Sequence, residues 1–173
     1  CDPRARDRAL RYAETRGKAF DPGKAVLAHG DAHAWNTLLV PGDGPRRFKF
    51  VDPDGLFIEP GYDLAIPMRE WADELLAGDP IVLGLARCRR LADLTGVDPT
   101  AIWQWGFIER VSTGLLCAKV GFEGAREILA VADAWAGRGL GTELMRTLGQ
   151  AARANGIHTL VGTSLAENQR IQA

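Results

Sequence analysis

The chain has 173 residues, 46% of them hydrophobic, and a formal net charge of −1 at pH 7. That length suits one domain, or one and part of a second, with enough apolar content for a sizeable core. The near-neutral balance excludes proteins that bind nucleic acid through a strongly basic surface. The apolar runs at 81–86 and 115–118 fall well short of the roughly 20 residues of a membrane span. No charged start leads into an apolar signal segment, so a cytoplasmic protein without membrane or nucleic-acid partners is expected. Cys1, Cys88 and Cys117 are odd in number and lack paired spacing, which predicts core thiols over a disulfide or metal site.

In chain order, a basic amphipathic helix is predicted from Arg4 to Phe20, broken by Asp21-Pro22-Gly23. Ala25–Ala28 is a short apolar approach to His29-Gly30-Asp31, and Trp35 is expected to pack beneath the loop that follows. Thr37–Val40 and Arg47–Val51 are β-prone runs on either side of Pro41-Gly42-Asp43-Gly44-Pro45, which describes a hairpin. Three helices are then expected, at about Asp63–Ala77, Pro80–Leu94 and Pro99–Val120. Asp63 fits an N-cap for the first, and the last two begin with Asp-Pro pairs that suit a cap followed by a first-turn proline. Trp103, Trp105 and Phe107 near the start of the third are expected in the core.

The hairpin would return Asp52 to the neighbourhood of Asp31 and Asn36. A carboxylate, an amide five residues on and a second carboxylate after an apolar run are the groups that phosphoryl transfer uses to orient an acceptor hydroxyl and hold magnesium. The competing reading is a loop of turn and capping residues, since Asp and Asn favour turns for local reasons.

Residues 4–135 resemble the C-terminal lobe of the aminoglycoside phosphotransferases, in the streptomycin 6-kinase and hydroxyurea-resistance group. The resemblance is carried by His29-Gly30-Asp31 to Asn36, by Val51-Asp52-Pro53-Asp54-Gly55, by Glu59-Pro60-Gly61-Tyr62-Asp63-Leu64-Ala65 and by Trp105–Ser112. It implies a kinase that confers antibiotic resistance by phosphorylating a cationic, streptomycin-like molecule with ATP and Mg2+. Asp31 would be the catalytic base, Asn36 and Asp52 the magnesium ligands, and His29 and Asp63 supports of the loop. Asp54 fits either a second acid behind these or a turn with Gly55. Glu59, Glu70, Asp73, Glu74 and Glu109 are candidates for the substrate's ammonium groups, each also readable as a solvated helix face or an arginine partner.

Only 28 residues precede His29, none strand-rich or Gly-rich, and the chain starts at Cys1. A truncated piece without the nucleotide-covering lobe, weak or inactive alone, is expected on that reading.

The tail follows a different pattern. Val131–Trp135 leads into Gly137-Arg138-Gly139-Leu140-Gly141-Thr142, a helix to about Asn155, and the strand-like Thr159–Thr163 before Asn168. This resembles the acetyl-CoA-binding core of the GNAT acetyltransferases, where a Gly-rich turn and helix start present amides to a diphosphate. Gly139, Leu140, Gly141, Thr142 and Asn168 would carry that site, although Ala136 stands where the family normally has Gln or Arg. The fold expected overall is α+β and mostly helical: a kinase-like lobe with one hairpin over 1–135 and a GNAT-like β-α-β fragment over 136–173, joined near 131–138. The alternatives to a kinase are an acetyl-CoA-dependent N-acetyltransferase fragment and a non-catalytic scaffold.

Overall fold

A computed structural model describes residues 1–42 and 44–137, and the chain divides after Gly137. The elements of the first unit are α1 (Pro3–Ala19), β1 (Val26–Ala28), β2 (Thr37–Val40), β3 (Arg47–Phe50), β4 (Leu56–Ile58), α2 (Gly61–Arg69), α3 (Ala72–Leu76), α4 (Pro80–Thr95), α5 (Pro99–Val120) and α6 (Ala125–Gly137).

Local chemistry sets the helix ends. The Asp79 carboxylate accepts the Ile81 amide at 2.9 Å, and the Asp98 carboxylate accepts that of Thr100 at 2.8 Å. Proline occupies the first helical position after each, where its missing N–H costs nothing. Both helices stop at a left-handed glycine, Gly96 and Gly121, each at φ 72°.

The core is built around α5, which buries Ala101, Ile102, Trp103, Phe107, Val111 and Gly114 against its neighbours. Close approach is the reason for two glycines. A Cβ on Gly106 would lie 2.5 Å from Met68 Cβ of α2, and one on Gly84 of α4 would lie 2.7 Å from the Trp135 ring of α6. Trp135 joins the helices further: its indole N–H donates to the Pro80 carbonyl at 2.8 Å, and its ring lies 4.6 Å from that of Trp103. At the N-terminus, the Asp2 amide donates to Asp133 at 2.7 Å, and the Tyr12 ring meets Phe107 edge-on at 5.4 Å, placing α1 across α5 and α6.

One predicted element is divided. The helix expected over Asp63–Ala77 is two, α2 and α3, separated by an extended Glu70 and by Trp71 at φ 53°. Guanidiniums from distant helices hold this break. Arg87 donates to the carbonyls of Pro67 (3.1 Å) and Glu70 (2.9 Å), and Arg110 to those of Met68 (2.6 Å) and Glu70 (3.2 Å). Cations at the open carbonyls of a helix end are favourable. Arg110 is fully buried, and burial pushes its pKa down to about 9.

The predicted hairpin is present as β2–β3, with Thr37 opposite Phe50 and Val40 opposite Arg47. A second antiparallel pair, β1–β4, forms a separate two-stranded sheet. The tail elements expected after Gly137 lie outside the described residues. Val131, Ala132 and Trp135 are buried within α6, so this stretch closes the helical unit. Among the described residues, no helix is long and apolar enough to cross a membrane.

Candidate functional site

The loop 29–36 is fixed by hydrogen bonds from three directions. The Asp63 carboxylate, in the first turn of α2, accepts the amides of His29 (2.7 Å) and Gly30 (2.8 Å). Pro60, not Asp63, occupies the N-cap of α2, so this carboxylate is free to serve the loop. The His29 carbonyl accepts the Asp54 and Gly55 amides, at 2.8 and 3.2 Å. His29 Nδ1 accepts the Asp31 amide, so Nε2 carries the proton and donates to the Val51 carbonyl at 3.0 Å. Gly30 sits at φ 90°, where a Cβ would lie 2.7 Å from Asp54 Cβ.

Asp31 and Asn36 meet as their spacing predicts: Asn36 Nδ2 donates to the Asp31 carbonyl at 3.0 Å. Asp52 is tied in through its neighbour, since the Val51 amide donates to the Asn36 carbonyl at 2.9 Å. Asp52 itself is exposed and left-handed, at φ 60°. Among the described residues, no group of three or more His, Cys, Asp or Glu side chains is arranged to hold a metal ion.

Both oxygens of the Asp31 carboxylate have partners within the chain. Arg69 Nη2 donates to Oδ1 and His33 Nε2 to Oδ2, both at 3.0 Å. His33 Nδ1 accepts the Trp35 amide at 3.1 Å, which leaves the proton on Nε2. Arg69 also reaches Glu70 and Glu109, each at 3.2 Å. Burial opposes its charge, but the carboxylates of Asp31, Glu109 and Glu70 outweigh it and raise its pKa. Burial raises the pKa of Glu109 against the pull of Arg69, and raises that of Tyr62, whose hydroxyl lies 3.2 Å from Glu109, to about 12.

Four of the five acids predicted to meet a cationic substrate are therefore occupied. Glu59 takes the Trp105 indole N–H at 2.7 Å and Arg16 at 3.4 Å. Glu70 and Glu109 share Arg69, and Glu74 pairs with Arg87 at 3.2 Å. Asp73 is exposed in the first turn of α3. Arg69 falls in the middle of the helix expected over Asp63–Ala77 and nothing in the sequence singles it out, while His33 reads from the sequence only as a second imidazole in the loop. Trp35 does not pack beneath the loop: it is 89% exposed.

The sequence model of the Acetyltransferase (GNAT) family matches residues 79–173, more than half of the chain. The chain belongs to the GNAT acetyltransferase family. No curated protein and no solved structure matches it. This finding overturns the resemblance to aminoglycoside phosphotransferases, for which there is no family match, and with it the kinase activity and the streptomycin substrate, and it gives no support to ATP or to the Mg2+ expected at Asn36 and Asp52. The spacing of Asp31, Asn36 and Asp52 did locate a tightly braced loop, but a turn and an ion-pair network satisfy the same pattern of residues. The GNAT segment begins with α4, α5 and α6 and continues through Gly139, Leu140, Gly141, Thr142 and Asn168, which lie outside the described residues.

Proposed function

We propose that the chain transfers an acetyl group from acetyl-CoA to a primary amine. The observation that carries this reading is the family match over 79–173, which takes in the Gly137-Arg138-Gly139-Leu140-Gly141-Thr142 stretch. Glycines at alternate positions leave backbone amides open to close approach, and amides at a helix start suit a diphosphate. In the reaction, the neutral amine nitrogen attacks the thioester carbonyl, the C–S bond breaks, and the coenzyme leaves as a thiol once the amine has lost a proton.

On the same reading, the loop 29–36 and its Asp31–Arg69–Glu109 network are structural, tying the strands to α2 and α5. The test is mass-spectrometric detection of acetylated product when the full chain is given acetyl-CoA and a panel of primary amines. Product should form, and the double substitution Gly139→Val with Gly141→Val should abolish it by covering the amides. No product from the intact chain with any amine, or undiminished product from the double variant, would refute the proposal.

A further inference from the structure

Among the described residues, the β3 edge of the hairpin β2–β3 pairs with no other strand, and it has a readable polarity. All four residues of β3 are exposed, Phe48 at 60% and Phe50 at 57%. Arg46, Arg47 and Lys49 are also exposed and have no ion pair among the described residues. Two strands alone are marginally stable in water, and an open edge is a template for another strand.

The hydrogen-bond parity of the hairpin states what that strand would meet. The Val51 amide donates to the Asn36 carbonyl, and the register sets Leu38 opposite Lys49 and Val40 opposite Arg47. Bonded and non-bonded pairs alternate along an antiparallel ladder. The main-chain groups of Arg47 and Lys49 therefore face β2, and those of Phe48 and Phe50 face outward. An added antiparallel strand would bond at Phe48 and Phe50. At the intervening positions Arg47 and Lys49 would stand in non-bonded pairs, about 4.5 Å from their opposites, where side chains are closest.

This parity disfavours a second copy of the chain. Outward groups must oppose outward groups, so Phe48 and Phe50 can face only Phe48 or Phe50 of another β3 when two such strands overlap. Every antiparallel register that overlaps more than one residue of β3 then sets Arg47 or Lys49 against Arg47 or Lys49 of the other copy. Like charges directly opposite are destabilising. The same two cations complement carboxylates.

We infer that β3 is a docking edge for an extended acidic segment of a partner protein, with Asp or Glu opposite Arg47 and Lys49 and apolar residues opposite Phe48 and Phe50. Main-chain bonds supply attachment and the alternating side chains supply selection.

The test uses a fluorescein-labelled hexapeptide of alternating glutamate and valine, titrated into the full chain and followed by anisotropy. It should bind about tenfold tighter than the alternating lysine–valine peptide, the effect of two cross-strand charge pairs. Arg47→Glu with Lys49→Glu should reverse that preference, a gain that misfolding does not produce. N-methylation of the valines, which removes the amides aimed at Phe48 and Phe50, should abolish binding. Equal binding of the two peptides, an N-methylated peptide that binds as well, or a single-stranded RNA of equal charge that competes fully would each overturn the inference.

Discussion

The helices around α5 and the strands between residues 26 and 58 solve the same problem of chain order in different ways. In the helices, large apolar side chains are removed from water: Trp135, Phe107, Ile102 and Met68 are almost wholly buried. In the strands, Leu27, Leu38, Leu39, Phe48 and Phe57 remain more than half exposed. What fixes that region is polar: the Asp63 carboxylate on two loop amides, the His29 imidazole on Val51, and Arg69 on Asp31. Stability should therefore depend on packing in the first region and on a few hydrogen bonds in the second.

The largest effect should follow from Trp135→Ala. It removes the ring between Trp103 and Arg110, together with the bond to Pro80, and leaves a cavity against Gly84. Urea unfolding should show a loss of about 3–5 kcal/mol. A loss below about 1 kcal/mol would mean that the helical core is not organised around this ring.

Asp63→Ala should cost less, about 2 kcal/mol, by leaving the His29 and Gly30 amides without their acceptor. Hydrogen exchange gives the sharper readout, because protection should fall at His29 and Gly30 while the core of α5 keeps its own. Uniform loss across both regions would show that they open as one unit.

These two sites also differ in how far the sequence disclosed them. Asp79-Pro80 and Asp98-Pro99 marked the starts of α4 and α5, and the turn-rich 41–45 stretch marked the hairpin, because caps and turns are decided within a few residues. The break between α2 and α3 was not legible, since it is held by Arg87 and Arg110 from elements folded against it. The partner of Asp31 was hidden for the same reason: Arg69 stands 38 residues away, and nothing local announces the pairing. The kinase reading placed on Asp31, Asn36 and Asp52 is overturned by the family match, not by anything legible in the loop. Residue types at a motif's spacing describe a loop, and the function of that loop depends on what each carboxylate meets.

A smaller effect is expected from pH. The carboxyl of Glu109 has its pKa raised on folding, chiefly by burial, so the folded state holds this proton more tightly than the unfolded chain. Stability contributed by this group is present below the ordinary carboxylate range and is lost as pH rises through the raised value. In Glu109→Gln that loss should vanish. The difference in unfolding free energy between the variant and the original chain should then change with pH in the variant's favour, starting near pH 4 to 5 and continuing upward. A difference that is flat with pH would show that Arg69 cancels the burial of this carboxylate. The smallest effect should come from Leu39→Ser on the exposed hairpin, within about 0.5 kcal/mol, measured by the same urea titration.

The chain belongs to the GNAT family, and we propose that it uses acetyl-CoA and that its braced acidic loop is structural. Calorimetric titration of the full chain, in one arm with acetyl-CoA and in the other with ATP and magnesium, tests it directly. Saturable binding of acetyl-CoA, with no heat of binding from the nucleotide, is the expected result. Saturable magnesium-dependent binding of ATP, weakened by Asp52→Asn and accompanied by no binding of acetyl-CoA, would contradict it.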